Sequence, residues 1–255
     1  MQKSRRYFIE LAYKGTAYHG WQLQPNAIAV QEVLNKSLNI FFRKEIETLG
    51  CGRTDSGVHA SQFYAHFDVE QDFSETDKEK FIRSINSLLP SDISVSQLIK
   101  VNNDAHARFD ATLRAYQYHL HFKKDPFKTD TSWRIKDKLN LIAMEEAANI
   151  IKEYQDFGAF CKSNADNFTN ICHIQKSEWE IVPNGLIYHI TANRFLRNMV
   201  RAIVGTLVDV GKGKIEAQDL HQIIQSQNRS AAGASVPACG LFLTQVKYPY
   251  INNNV

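Results

Sequence analysis

Cysteine is scarce and falls into no pattern: Cys51, Cys161, Cys172 and Cys239 stand apart, without the C-x-x-C pairs of a zinc knuckle or the density of a disulfide scaffold. Reduced thiols are expected. Cys172-His173, downstream of Cys161, has ligand chemistry but not paired ligand spacing, so packing residues are the simpler reading and no metal site is expected. No apolar run approaches the roughly 20 residues of a membrane-spanning helix, which leaves no expected membrane span. The chain also lacks a large excess of positive charge. Thirty Lys and Arg against 27 Asp and Glu leave +3, so any nucleic-acid site has to be locally basic. The basic stretch Met1 to Arg6 runs straight into an alternating segment, with neither an apolar signal core nor a small-residue cleavage site, and a cytoplasmic location is the expectation.

The 255 residues, 44% hydrophobic and 22% charged, allow one large domain or two smaller ones, each able to bury a core. Tyr7 to Tyr13 reads as a strand. Val30, Val33, Leu34, Leu38, Phe41 and Phe42 then recur at helical spacing. Ile46 to Cys51 and the alternating Phe63 to Val69, which reads as half-buried, are expected to pair as a hairpin. Thr76 with Glu79 reads as the capping box of a helix that stops at Pro90, and Ile93 to Lys100 is extended again. This β-α-β-β-α-β order is that of a ferredoxin-like unit, an antiparallel sheet with helices on one face and the other face open. A second copy is expected to follow, with a strand through Tyr116, Tyr118, Leu120 and Phe122 and a helix from Asn140 to Tyr154. Its hairpin turns at Pro183-Asn184-Gly185, helices cover Phe195 to Val210 and Glu216 to Gln225, and a strand runs from Leu241 to Val246. The expected class is therefore α+β, with two ferredoxin-like halves, 1–104 and 105–255, flanking a central cleft.

The most unusual segment is Gly52-Arg53-Thr54-Asp55-Ser56-Gly57-Val58-His59. A hairpin needs far less. Glycines on both sides allow a sharp reversal while Arg, Asp and His gather at the tip, and on physical grounds either a structural turn or an active-site loop fits. Tyr116 and Tyr118 share one strand face, a stripe that is more often core than site, and Tyr118 reads as core. Arg194, Arg197 and Arg201 are spaced to share one helix face opposite Leu196, Met199, Ile203 and Leu207, where a solvated face and an RNA contact are both open. Trp21 reads as core.

The loop resembles the G-R-T-D-x-G-V-H-A signature of the TruA family of tRNA pseudouridine synthases, with Ala60 completing it. Other blocks similar to that family follow in order along nearly the whole chain: Tyr13 to Gln22, Val30-Gln31, His106-Ala107-Arg108-Phe109, Arg114 to Tyr118, Phe195 to Arg201, and Pro237 to Leu241. Lys14, Ser56 and Asn170 depart from the family's usual Asp, Ala and Arg. The resemblance implies a pseudouridine synthase fold and a homodimer acting on tRNA, at uridines 38 to 40 of the anticodon arm in tRNA numbering. It also implies that Asp55 is the catalytic carboxylate, with Tyr116 and Arg201 in the active site and Arg53 holding RNA and the flipped base. Arg194, Arg197 and Leu241 are the further substrate-binding candidates.

Pseudouridine formation breaks the bond from uracil N1 to the ribose, turns the base and rejoins it through C5, with no redox change, so no cofactor is expected. It needs a carboxylate, groups that retain the detached uracil, and access to a base otherwise stacked. An Arg201 guanidinium beside Asp55 would keep the carboxylate charged and oriented. The alternative, a silent tRNA-binding scaffold, leaves the retained Asp55 unexplained.

Overall fold

In the computed structural model, residues 4–162 and 168–251 are described; of the basic stretch 1–6, the first three residues lie outside them. The chain divides into two compact units, one of residues 1–112 with 243–255, the other of 113–242. The architecture is mixed α+β.

The first unit is built on strand β1 (Arg5–Tyr13), which pairs antiparallel with β3 (His59–Val69) on one side and β4 (Ile93–Val101) on the other. Helices α1 (Val30–Phe42) and α2 (Glu75–Leu88) turn their apolar stripes to one face of this sheet. Phe81 sits at the centre, with ring contacts to Phe41 at 5.0 Å and Phe73 at 5.4 Å. The expected hairpin forms, but its first strand shrinks to β2 (Leu49–Gly50), paired with His66 and Ala65.

Two expectations are corrected in this unit. The capping box of α2 is Ser74 with Asp77, not Thr76 with Glu79: the Asp77 N–H donates to Ser74 Oγ at 3.3 Å, and the Ser74 N–H donates to Asp77 Oδ2 at 3.3 Å. The cause is Phe73, whose ring is buried and whose N–H donates to the Tyr7 hydroxyl at 3.2 Å, so the chain leaves the core one residue later. Strand β3 is buried on both faces over its middle, from Phe63 to Phe67, rather than half-buried. Tyr64 lies edge-on to Tyr248 at 5.3 Å, and His66 stacks on Phe8 at 5.9 Å, so the second sheet face is covered here.

In the second unit β5 (Leu113–His121) pairs antiparallel with β8 (Gly185–Ala192), which pairs antiparallel with β7 (Ile174–Val182). The short β6 (Trp133–Arg134) runs parallel to β5. The β7–β8 turn has Asn184 at φ 58°, the left-handed value that a tight hairpin demands. Helix α3 (Leu141–Ile151) starts at its Asn140 cap, whose side chain accepts from the Ala143 N–H at 3.2 Å.

Helix α4 spans Met199–Gly211 and α5 spans Asp219–Gln225, both shorter at the N-terminus than the periodicity suggests. α4 is apolar and buried nearly all round, the mark of a central core helix rather than a surface one. Strand β9 (Leu241–Lys247) closes the order of elements, and its residues from Leu243 belong to the first unit. None of the described helices is long and apolar enough to cross a membrane.

Candidate active site

The loop 51–58 joins β2 to β3 and is closed by main-chain bonds. Cys51 N–H donates to Tyr64 O at 2.7 Å at its base, and Val58 N–H donates to Asp55 O at 3.1 Å, closing a four-residue turn. Gly57, third in that turn, has φ 79°, a value that turns of this kind reserve for glycine. The turn expected from composition therefore exists. It is closed through the Asp55 carbonyl oxygen, with Asp55 half-buried and Arg53, two residues before it, exposed.

The segment Tyr13 to Trp21 is the loop's bed. Gly57 N–H donates to Tyr18 O at 3.2 Å, Tyr13 and Thr54 share a hydroxyl–hydroxyl bond of 2.9 Å, and Gly15 N–H donates to buried His59 Nδ1 at 2.9 Å. The two backbones touch. At Gly20 a Cβ would stand 2.2 Å from Thr54 O, and at Gly15 it would stand 2.0 Å from Val58 O, so both positions exclude a side chain. Tyr18 is tied from the other side, its hydroxyl donating to Asp92 at 2.6 Å. Trp21 is core: it is 1% exposed and stacks on Phe63 at 4.2 Å. Sequence spacing marked the two motif blocks separately; the glycine-to-carbonyl approaches show why they belong together.

In the second unit, burial along one face of β5 rises from half-exposed Arg114 and Tyr116 to fully buried Tyr118 and Leu120. Tyr116 meets Phe195 edge-on at 5.1 Å. Tyr118 is 0% exposed, its hydroxyl donates to Pro237 O at 2.7 Å, and burial pushes its pKa up. Gly240 completes this packing, since a Cβ there would reach Tyr118 Cζ at 2.7 Å. The two tyrosines of one stripe thus part company, one in the core and one at its edge.

The arginine face requires a correction. Arg194 and Arg197 are not on the helix of Arg201, because Asn198 takes φ 66° and ψ 0° and α4 begins only at Met199. The preceding residues are held as an irregular segment. Asn193 Oδ1 accepts from the His173 N–H at 2.8 Å and from the Arg194 N–H at 2.9 Å, and Arg197 O accepts from the Lys162 N–H at 3.0 Å. Arg197 is exposed and Arg194 half-exposed. Arg201 Nε donates to Val236 O at 2.8 Å and Val236 N–H returns a bond to Arg201 O at 3.2 Å, so its side chain is aimed from the first turn of α4. Leu241 is buried. The departures Lys14 and Ser56 sit at exposed positions of the Asp55 loop and its bed, while Asn170 is half-buried and its carbonyl accepts from the Phe157 N–H at 3.1 Å.

The block 106–109 contributes a turn that sequence reasoning left without a role. His106 Nδ1 accepts from both the Arg108 and Phe109 N–H groups at 3.1 and 3.2 Å, Ala107 N–H donates to His66 Nδ1 at 3.2 Å, and Phe109 is left exposed.

The structure thus brings the 52–59 loop and the 13–21 segment together, with Asp55 half-buried in a glycine-braced turn. Comparison with known proteins identifies the class. The family profile described as tRNA pseudouridine synthase matches residues 154–249. The chain is 50% identical to the tRNA pseudouridine synthase A of Bacteroides fragilis over 96% of its length and 97% of the relative's. It is 48% identical to that of Azobacteroides pseudotrichonymphae over the same shares. With that of Thermoanaerobacter pseudethanolicus it shares 37% over 96% of this chain and all of the relative. The chain belongs to the tRNA pseudouridine synthase family.

Proposed function

We propose that the protein isomerises uridine to pseudouridine in the anticodon arm of tRNA, at positions 38 to 40 in tRNA numbering, with Asp55 as the catalytic carboxylate. The observation that carries this reading is the Asp55 loop itself, braced by the 13–21 segment in a chain similar to these synthases over almost its whole length. Asp55 begins cleavage of the N1-to-ribose bond; the base turns and a bond from C5 to the same ribose carbon replaces it, C5 losing a proton and N1 taking one up, so that the product is an isomer of the substrate. Atoms and electrons balance without a redox partner or cofactor.

Tyr116 stacks on the target base and its hydroxyl orients the uracil. Arg201 supplies the guanidinium that favours a charged, oriented carboxylate, and Arg53, exposed two residues before Asp55, holds the RNA backbone and the flipped base. Exposed Arg197 and half-exposed Arg194 serve as phosphate contacts, and Leu241 packs at the substrate. Two ferredoxin-like halves flanking a central cleft, a homodimer and a cytoplasmic location complete the proposal. Incubation with unmodified tRNA transcripts, followed by chemical mapping of pseudouridine, tests it: modification at 38 to 40 is expected, and transcripts that stay unmodified at those positions overturn it.

A further inference from the structure

We propose that Phe109 is a stacking platform for an unpaired RNA base, lying outside the residues assigned to the reacting uridine. The inference rests on the reading of the protein as acting on tRNA. Its starting point is a mismatch between rigidity and exposure. The turn 106–110 is locked on every side: Asp110 Oδ2 accepts from the His106 N–H at 2.7 Å and from the Tyr250 hydroxyl at 2.8 Å, Asp110 N–H donates to His106 O at 3.1 Å, and the Tyr248 hydroxyl donates to Ala107 O at 2.6 Å. With His106 Nδ1 taking two further N–H groups, the turn has almost no freedom left. Burial holds the His106 imidazole below its ordinary pKa, which keeps that nitrogen a lone-pair acceptor at neutral pH.

What this frame presents is a large apolar ring. Phe109 is 74% exposed. The His106 ring lies 4.2 Å from it at an interplanar angle of 31°, and the Arg108 guanidinium carbon lies 5.6 Å from the ring centroid. An imidazole behind the ring and a guanidinium at its side leave a π-surface for one more planar group, and Arg108, itself exposed, offers charge to the phosphate that accompanies a base. Stacking of this kind reads no sequence, because every base has a π-face, and it suits an unpaired nucleotide better than a paired one.

Equilibrium tRNA binding by Phe109→Ala, Phe109→Leu, Phe109→Trp and Arg108→Ala tests the platform, with Ile142→Ala on α3, 84% exposed, as the control for losing a surface apolar group. Phe109→Ala and Phe109→Leu are expected to raise Kd about five- to a hundredfold, the range of one base–aromatic stack, and Phe109→Trp to stay near wild type. The slope of log K against log salt should be unchanged in Phe109→Ala, since stacking releases no counterions, and should fall by roughly one unit or less in Arg108→Ala. Phe109→Leu keeps the apolar volume and so separates loss of stacking from any folding defect of the alanine variant. Wild-type affinity in both Ala and Leu variants overturns the platform, and so does a change of oligomeric state on ultracentrifugation, which would make the ring a protein contact. A wild-type protein that binds tRNA through Phe109 but makes no pseudouridine would leave the platform standing and remove the catalytic reading.

Discussion

Two segments without regular structure, one with Asp55 and Arg53 and one with Arg194 and Arg197, carry charged residues proposed for the site, and they are held differently. The Asp55 loop is fixed chiefly by close backbone approach, with Gly15 and Gly20 as spacers, one turn bond within and the Thr54 hydroxyl bonded to Tyr13. The segment 193–198 is fixed by side chains, chiefly the amides of Asn193 and Asn198, the latter donating to Ser235 Oγ at 2.5 Å. Side chains add to the loop's bracing, Thr54 through its hydroxyl bond to Tyr13 at 2.9 Å and Ser56 through a bond from Oγ to Tyr18 O at 3.4 Å. Side-chain bracing makes the asparagines themselves structural. The geometry of the first segment should therefore answer to added side-chain volume at its glycines, and that of the second to loss of its asparagine amides.

The largest effect is expected at the loop's reacting group. Asp55→Asn changes charge but little volume, so pseudouridine formation should vanish while tRNA Kd moves only a few fold; near-wild-type turnover would return the loop to a purely structural role. Next comes the spacer. Gly20→Ala adds a Cβ 2.2 Å from Thr54 O at a residue of φ 86°, so the loop must move. A shift of about 1 Å at the reacting group is worth roughly a hundredfold in turnover, and strain at this φ should lower stability by more than about 1 kcal/mol. Unchanged kcat with a lowered melting temperature would show that the bracing serves the fold alone.

A third test reaches the turn behind Phe109. His66, 6% exposed, has its pKa lowered to about 4, first by burial and then by Arg6 and His106, with Asp68 and Asp110 acting the other way. Because the folded pKa lies below the ordinary value of about 6.5, the unfolded chain binds the proton first, and stability complete above pH 6.5 is lost as pH falls towards 4. The loss should reach on the order of 2–3 kcal/mol, and denaturant midpoints for wild type and His66→Gln should converge with acid. Parallel midpoints across that range would mean that His66 does not couple to folding.

The smallest effect is expected at Arg197 in the second segment, and Arg201 on α4 is its contrast. Arg197→Ala should weaken tRNA binding modestly and reduce the salt slope by roughly one unit or less, leaving melting temperature unchanged. Arg201→Lys should instead lose turnover at saturating tRNA, because a lysine cannot hold Val236 O and a second acceptor in one plane. Equal salt slopes in the two variants would restore the view of one arginine face.

What could be read from sequence follows the same division. Turn chemistry at Asp55 to Val58, the pairing of β2 with β3 and the burial of Trp21 were all legible, because each depends on local composition or on alternation. The arginine face was not. Arg194, Arg197 and Arg201 fit helical spacing, but a single left-handed Asn198 cancels the period, and nothing in the residues around it signals that choice. The Ser74–Asp77 cap was missed in favour of Thr76 and Glu79 because both pairs satisfy the same pattern, and only the burial of Phe73 decides between them. Strand β3 alternates as though half-covered, yet its second face is roofed by Tyr248 and the 105–107 backbone, which arrive from far along the chain.

Helix α4 has a consequence for how the molecule comes into being. Thirteen residues long, it is buried on nearly every side, and part of its cover is the stretch 233–236, where Gly233 N–H donates to Thr206 Oγ1 at 2.8 Å and Val236 N–H to Arg201 O at 3.2 Å. On the ribosome α4 emerges before that cover does. Until the stretch is made, the helix has an uncovered apolar flank. Arg201, meanwhile, has neither of the bonds that aim it. A correctly set guanidinium therefore comes late in translation, only once residue 236 has been made.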